Sequence, residues 1–213
     1  GAQRENCRVG ASLAVWTRES LGFDRPVVRP ETDTPALHFG PDEPEWGSAA
    51  LLVVDQMYVY ACKSEHNDLL SQCRLARVPI AAVLDRSRWQ FFGGNGQWSS
   101  DWRDARPVLE GGITWGILSV HWNPFLGKFL AINSRVLDAR IAVRVADRPE
   151  GPWSDAGINI ETMHSTPGWF WTNTGLGHPE LARDGGRTEY MTYRRNVGFR
   201  HEIRLIEIRF GRK

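Results

Sequence analysis

No stretch of this chain is apolar for long enough to cross a bilayer. The longest runs, such as AALLVV at 49–54, fall far short of the ~20 residues that a spanning helix needs, and no charged-then-apolar leader opens the sequence. An excess of charge is missing too. Lys and Arg number 26 against 25 Asp and Glu, and a net charge of +1 gives neither the basic footprint of a nucleic-acid binder nor a membrane-facing basic stripe. No nucleic-acid and no membrane partner is therefore expected. Cysteine is sparse, with three thiols, no CxxC pair and no HExxH, so no zinc motif appears and no metal ligand is assigned. A nucleophile elbow and a Ser/His/Asp order are also absent. GGNG at 93–96 has no helical pattern after it, which makes the dinucleotide reading weak.

Tryptophan is abundant, with ten residues beside nine Phe. Most should fill the core, and the remainder offer flat apolar faces with a polar N–H, a combination suited to sugar rings. Cys62 closes one expected strand and Cys73 opens the next. A hairpin-linking disulfide or two buried thiols would both explain that spacing, and the disulfide would imply an oxidising compartment, extracellular or periplasmic.

Three stretches share a pattern of short motif, apolar run, turn and returning strand: WGSAALLVVDQMYVYA from Trp46, WGILSVHWNPFLGKFLAI from Trp115 and HPELARDGGRTEYMTY from His178. Further strand-like material trails each, and GQWSSD at 96–101 rhymes with GPWSDA at 151–156. A helical turn is expected only around HNDLLSQ at 66–72. About four antiparallel strands per unit point to an all-β protein, a β-propeller of four-stranded blades, because each blade needs neighbours to cover its faces. The expected organisation is a single domain over 1–213. Residues 1–45 would form outer strands of a partial blade, followed by blades at 46–114 and 115–177 and a partial blade at 178–213. These units do not close a ring, so the chain is expected to be part of a longer protein, or to be completed by another chain.

If each first strand runs down from a channel mouth, the residues that open each copy lie at the mouth and the turns at the far end. Asp55 and Asp184 then fall in turns, where Asp is favoured for local reasons. Glu45 and Glu180 fall at the mouth as candidate catalytic carboxylates. Glu180, beside His178, is expected to be desolvated and raised in pKa, as a general acid requires; mutual satisfaction with His178 at a strand start is the plainer alternative. Candidate substrate contacts are His178, Trp46, Trp115 and His121, the loop aromatics Trp169 and Trp171, and the cluster Tyr193, Arg194 and Asn196. No cofactor is called for. Asp and Asn oxygens are available to a structural calcium ion, although no spaced motif demands one.

RVADRPEGPWS at 144–154, HPELARDGGRTEYMTY at 178–193 and the closing IRLIEIRF resemble the five-bladed propellers of glycoside-hydrolase type. These comprise the arabinanase and xylosidase group and a propeller family that includes endo-D-arabinanases. The resemblance implies a carbohydrate-active propeller that hydrolyses an arabinan-like polysaccharide by acid/base catalysis, with Glu180 as the mouth carboxylate. The early-blade Asp of those families has no counterpart here. A non-catalytic glycan-binding propeller and a protein-interaction scaffold are the rival readings.

Overall fold

The computed structural model describes residues 9–64, 70–114, 116–135, 139–155, 158–165 and 173–211. Trp115, Trp169 and Trp171 lie outside the described residues. All regular structure is β, and among the described residues the only helical pieces are single 3-10 turns.

Three antiparallel sheets follow one another along the chain. The first contains β1 (Trp46–Val53), β2 (Gln56–Ser64), β3 (Leu70–Pro79), β4 (Gln90–Gly94), β5 (Gln97–Ser99) and β6 (Pro107–Thr114). Its order is β1-β2-β3-β4-β5, with β6 also pairing to β3. The second sheet contains β7 (Ser119–Asn123), β8 (Lys128–Ser134), β9 (Arg140–Ala146) and β10 (Ile158–Glu161), paired in chain order. The third contains β11 (Asn173–Gly177), β12 (Thr188–Val197) and β13 (Arg200–Arg209). Among the described residues the sheets form no closed ring.

Pattern explains most of these elements. The apolar run FLAIN in β8 is buried throughout, as expected of a central strand covered on both faces. β13 alternates, leaving Ile203 and Leu205 exposed while Ile206 and Ile208 face the core. Cys62 and Cys73 stand opposite each other on β2 and β3 and are joined by a disulfide.

Four expectations are corrected. Residues 9–45 form no strand, only isolated bridges at Ala11–Phe39 and Val15–Asp24. This proline-rich strap buries Leu37 and lays His38 and Phe39 against Trp89 and one face of the first sheet. The helical turn fails at its described end, because Leu70–Gln72 belong to β3. GPWS at 151–154, expected among the strand-like material that trails the second copy, is a loop, and β10 begins later, at Ile158. The third sheet starts at Asn173 rather than His178. Its first strand, NTGLG, contains too little apolar side chain to read as a strand, since its glycines are there for close approach. A Cβ on Gly177 would stand 2.7 Å from Ile132 Cδ1, and one on Gly175 would stand 2.9 Å from Ser134 Oγ.

β1, β7 and β11 run side by side in the same direction. Gly116, before β7, approaches the Cys62 carbonyl, and the Cys62 N–H donates to Ser48 near the start of β1. The ends of β1 and β7 meet where Leu51–Val54 face Trp122. Similarly, Gly175 donates to Ser134 and Gly177 to Ser119, while Gly186, beyond β11, accepts from Asn123 at the end of β7. The molecule therefore has a start end and a finish end, defined by these three strands.

Candidate functional site

The finish end gathers the polar chemistry. Ser119, His121 and Asn123 alternate along β7, so all three point at the third sheet. Ser119 Oγ accepts the Gly177 N–H at 2.8 Å, and His121 Nε2 lies 2.8 Å from Glu189 Oε2. Asn123 Nδ2 donates to Glu189 Oε1 and to the Gly186 carbonyl. Glu189 is 1% exposed, and two donors converge on it, which is how a buried carboxylate is made tolerable. The other His121 nitrogen, Nδ1, is buried with no hydrogen-bond partner.

Beside this cluster, His178 bridges two groups. Its Nδ1 is 2.8 Å from Glu180 Oε1 and its Nε2 is 2.8 Å from Thr192 Oγ1 on β12. Glu180 occupies a 3-10 turn, Pro179–Leu181, and its side chain is 64% exposed. A hydrogen bond from its own backbone N–H, then one from His178, with the charges of His178 and His121 nearby, hold its carboxyl below the usual range. The expected desolvation and upward shift are thus reversed: Glu180 is an exposed, ionised carboxylate, unsuited to act as a general acid.

His121 also lines an open apolar groove of about 520 Å³ between the ends of β1 and β7. Its other walls are Leu51–Val54, Trp122 and Phe129. Trp122 is 47% exposed, with Phe129 set edge-on behind it at 5.0 Å.

The expected site residues do not assemble at one mouth. Glu45, exposed, and Trp46 precede or open β1 at the start end, whereas His178 and Glu180 follow β11 at the finish end. The two carboxylates are separated by the length of the inner strands, on the order of 20 Å at ~3.3 Å per residue, too far to act as a pair. Asp184, expected in a turn, occupies one at this same finish end. Trp46 is core, packed against Phe39 and Phe91. Tyr193 is 2% exposed, and its hydroxyl accepts the Met163 N–H. Asn196 is buried, donates its backbone N–H to Ser165 Oγ and holds His201 at 2.7 Å. Arg194, half-buried, lies 2.9 Å from His201 Nδ1. These three belong to the start end of the third sheet, away from His178.

Glu189, Asn123 and Trp122 were not singled out from sequence. The signal was the period-2 alternation of VHWN and TEYMTY: it puts Asn123 on the same face as His121, Trp122 on the other, and Glu189 in line with Met191 and Tyr193. Among the described residues, no group of three or more His, Cys, Asp or Glu could hold a metal ion, and no helix is long and apolar enough to cross a membrane.

No curated protein matches the chain. Solved structures that share similarity include an endo-1,4-beta-xylanase from Bacteroides thetaiotaomicron VPI-5482, at 15% identity and TM-score 0.46, covering 78% of this chain and 48% of that one. A second, named glycoside hydrolase, has 15% identity and TM-score 0.36 and covers 80% of this chain and 38% of the other. The chain therefore spans about half or less of the length of either. One family match reaches from the strap through both sides of the polar cluster to Tyr193 on β12: the chain belongs to the family described as Domain of unknown function (DUF4185), matched over residues 26–193.

Proposed function

We propose that the chain is a carbohydrate-active module of glycoside-hydrolase type, acting on an arabinan-like or related polysaccharide, with its three sheets as successive blades of a β-propeller. Three meanders whose first strands lie side by side in one direction support the blade reading. The cross-strand disulfide supports a secreted location.

One observation carries the function: an ionised, solvent-facing carboxylate lies within electrostatic reach of His121, whose ring helps to line a groove that presents an exposed indole. Trp122 offers its face to the C–H side of a sugar ring. Glu180, held ionised by His178 and a backbone N–H, can take a proton from an attacking water or attack the anomeric carbon itself. Its role is base or nucleophile, and hydrolysis requires besides it an acid that protonates the leaving oxygen. His178 is a positioning residue, fixed from behind by Thr192. Such hydrolysis requires no cofactor.

Chromatography of arabinan and xylan oligosaccharides incubated with the protein tests this. Glu180→Gln should lower the release of new reducing ends by about 100-fold or more; undiminished release would remove Glu180 from the chemistry. One observation favours a second reading, non-catalytic glycan binding: Glu189, the nearest other carboxylate of the cluster, is enclosed and already occupied by His121 and Asn123. Wild-type protein that binds these sugars without cleaving them, and loses binding on Trp122→Ala, would establish that reading instead.

A further inference from the structure

A second cavity, of about 470 Å³, lies apart from the groove, between the outer strands of the first sheet and the loop that follows β9. Its size is within the range of small-molecule sites, about 300–1,000 Å³. Phe92, the turn Asn95–Gly96 and Pro107 form one wall, and Arg148, Glu150 and Trp153 the other.

The loop wall is fixed before any ligand arrives. Tyr60, fully buried, donates its hydroxyl to the Pro149 carbonyl. Gly151 N–H closes a turn onto the Arg148 carbonyl at 2.9 Å, and Ser154 is tied to Val145 through both its backbone N–H and its hydroxyl. Trp153 packs on the core between the first two sheets. A wall this restrained loses little conformational entropy on binding.

Its chemistry is specific. Glu150 is only 15% exposed and accepts hydrogen bonds; Arg148, 66% exposed, donates them, and the two stand 3.9 Å apart. Side by side they match a vicinal diol, one hydroxyl donating to Glu150 and its neighbour accepting from Arg148. Their charges cancel, so a neutral ligand leaves neither uncompensated, whereas an anion or cation would compete with one of them. Phe92, Pro107 and Trp153 supply the apolar surface that the C–H face of a sugar ring requires.

We propose that this cavity is a second glycan-binding site, which takes one neutral sugar unit through a vicinal diol. The inference rests on the carbohydrate reading above but not on the groove at Trp122. Fluorine NMR of protein labelled with 5-fluorotryptophan separates the two, with resonances assigned through Trp122→Phe and Trp153→Phe. On titration with arabinotriose and xylotriose, the Trp153 resonance should shift saturably with at least one of them. Glu150→Gln and, independently, Arg148→Ala should weaken that response about tenfold or more, with the other resonances in place to show that the variants fold. A Trp122 shift with Trp153 unmoved would overturn this site and leave the carbohydrate reading standing. Silence at both would overturn both, and a Trp153 shift indifferent to Glu150 and Arg148 would overturn the diol assignment.

Discussion

Two buried histidines solve the same problem in opposite ways. His38, in the strap, is 1% exposed, and neither ring nitrogen has a hydrogen-bond partner. It sits edge-on to Phe39 at 4.7 Å and 5.2 Å from Trp89, and burial first, then the charges of Arg86 and Arg29, lowers its pKa to about 4. His121, between the second and third sheets, keeps company with a buried carboxylate and an amide. The strap therefore adheres as apolar matter, its imidazole discharged, while the inner edge of the seam between sheets is held by paired polar groups. A residue type alone does not decide which; the neighbours do.

The largest effect should come from breaking the pair. Glu189→Ala strands His121 and Asn123 in a closed site, and about 3–5 kcal/mol should be lost in urea unfolding. A loss under about 1 kcal/mol would show that the apolar part of this seam, Leu130, Ile132, Ile141 and Met191, holds the sheets unaided.

His38 sharpens the other side. Its unfolded pKa of 6.5 exceeds the folded value of about 4, so between these limits the unfolded chain binds more protons. Stability should be full above pH 6.5, fall as the pH drops towards 4, and lose on the order of 3 kcal/mol across the window. His38→Leu should flatten that stretch of the unfolding profile. A profile as steep as wild type would mean that the imidazole is not kept neutral by the fold.

Between the first two sheets the seam is almost wholly apolar, from Tyr60 and Leu75 to Val120 and Ala131. A buried hydroxyl, that of Tyr60, reaches across to the Pro149 carbonyl. Tyr60→Phe should cost about 1 kcal/mol in the same urea assay, less than Glu189→Ala, because a lone neutral hydrogen bond replaces a charged network. Equal costs would erase the contrast between the two seams.

How much of this was legible follows from where period and turn chemistry speak. The hairpin of β7 and β8 reads directly, since SVHWN alternates, NPFLG turns and FLAIN is continuously apolar. β11 did not read, because Gly175 and Gly177 were selected for contact with Ser134 and Ile132 rather than for strand pattern. That one missed strand moved His178 and Glu180 from the start end to the finish end and broke the expected pairing with Glu45. The strap did not read because its apolar residues, Leu37 and Phe39, pack without any repeating period. Trp46 was legible as a strand opener, but only the arrangement of Phe39 and Phe91 makes it core.

The smallest effect separates Glu180 from both histidines. Its folded pKa lies below the ordinary 4.5, so whatever stability it contributes is present above pH 4.5 and is lost as the pH falls through the lowered value. Solvent screening of a side chain 64% exposed keeps that contribution to no more than a few tenths of a kcal/mol. Carbon-13 NMR titration of the carboxyl group reads it directly: His178→Ala should move the Glu180 midpoint up towards 4.5. The acid limb of wild-type unfolding then has a large part belonging to His38 between pH 6.5 and 4, and a fainter one below it that Glu180 shares with Asp85, Asp101 and Glu202, whose carboxyls are also held below their ordinary range. An unmoved midpoint in His178→Ala would leave the backbone N–H as the sole anchor of the carboxylate, and the positioning role of His178 would fall with it.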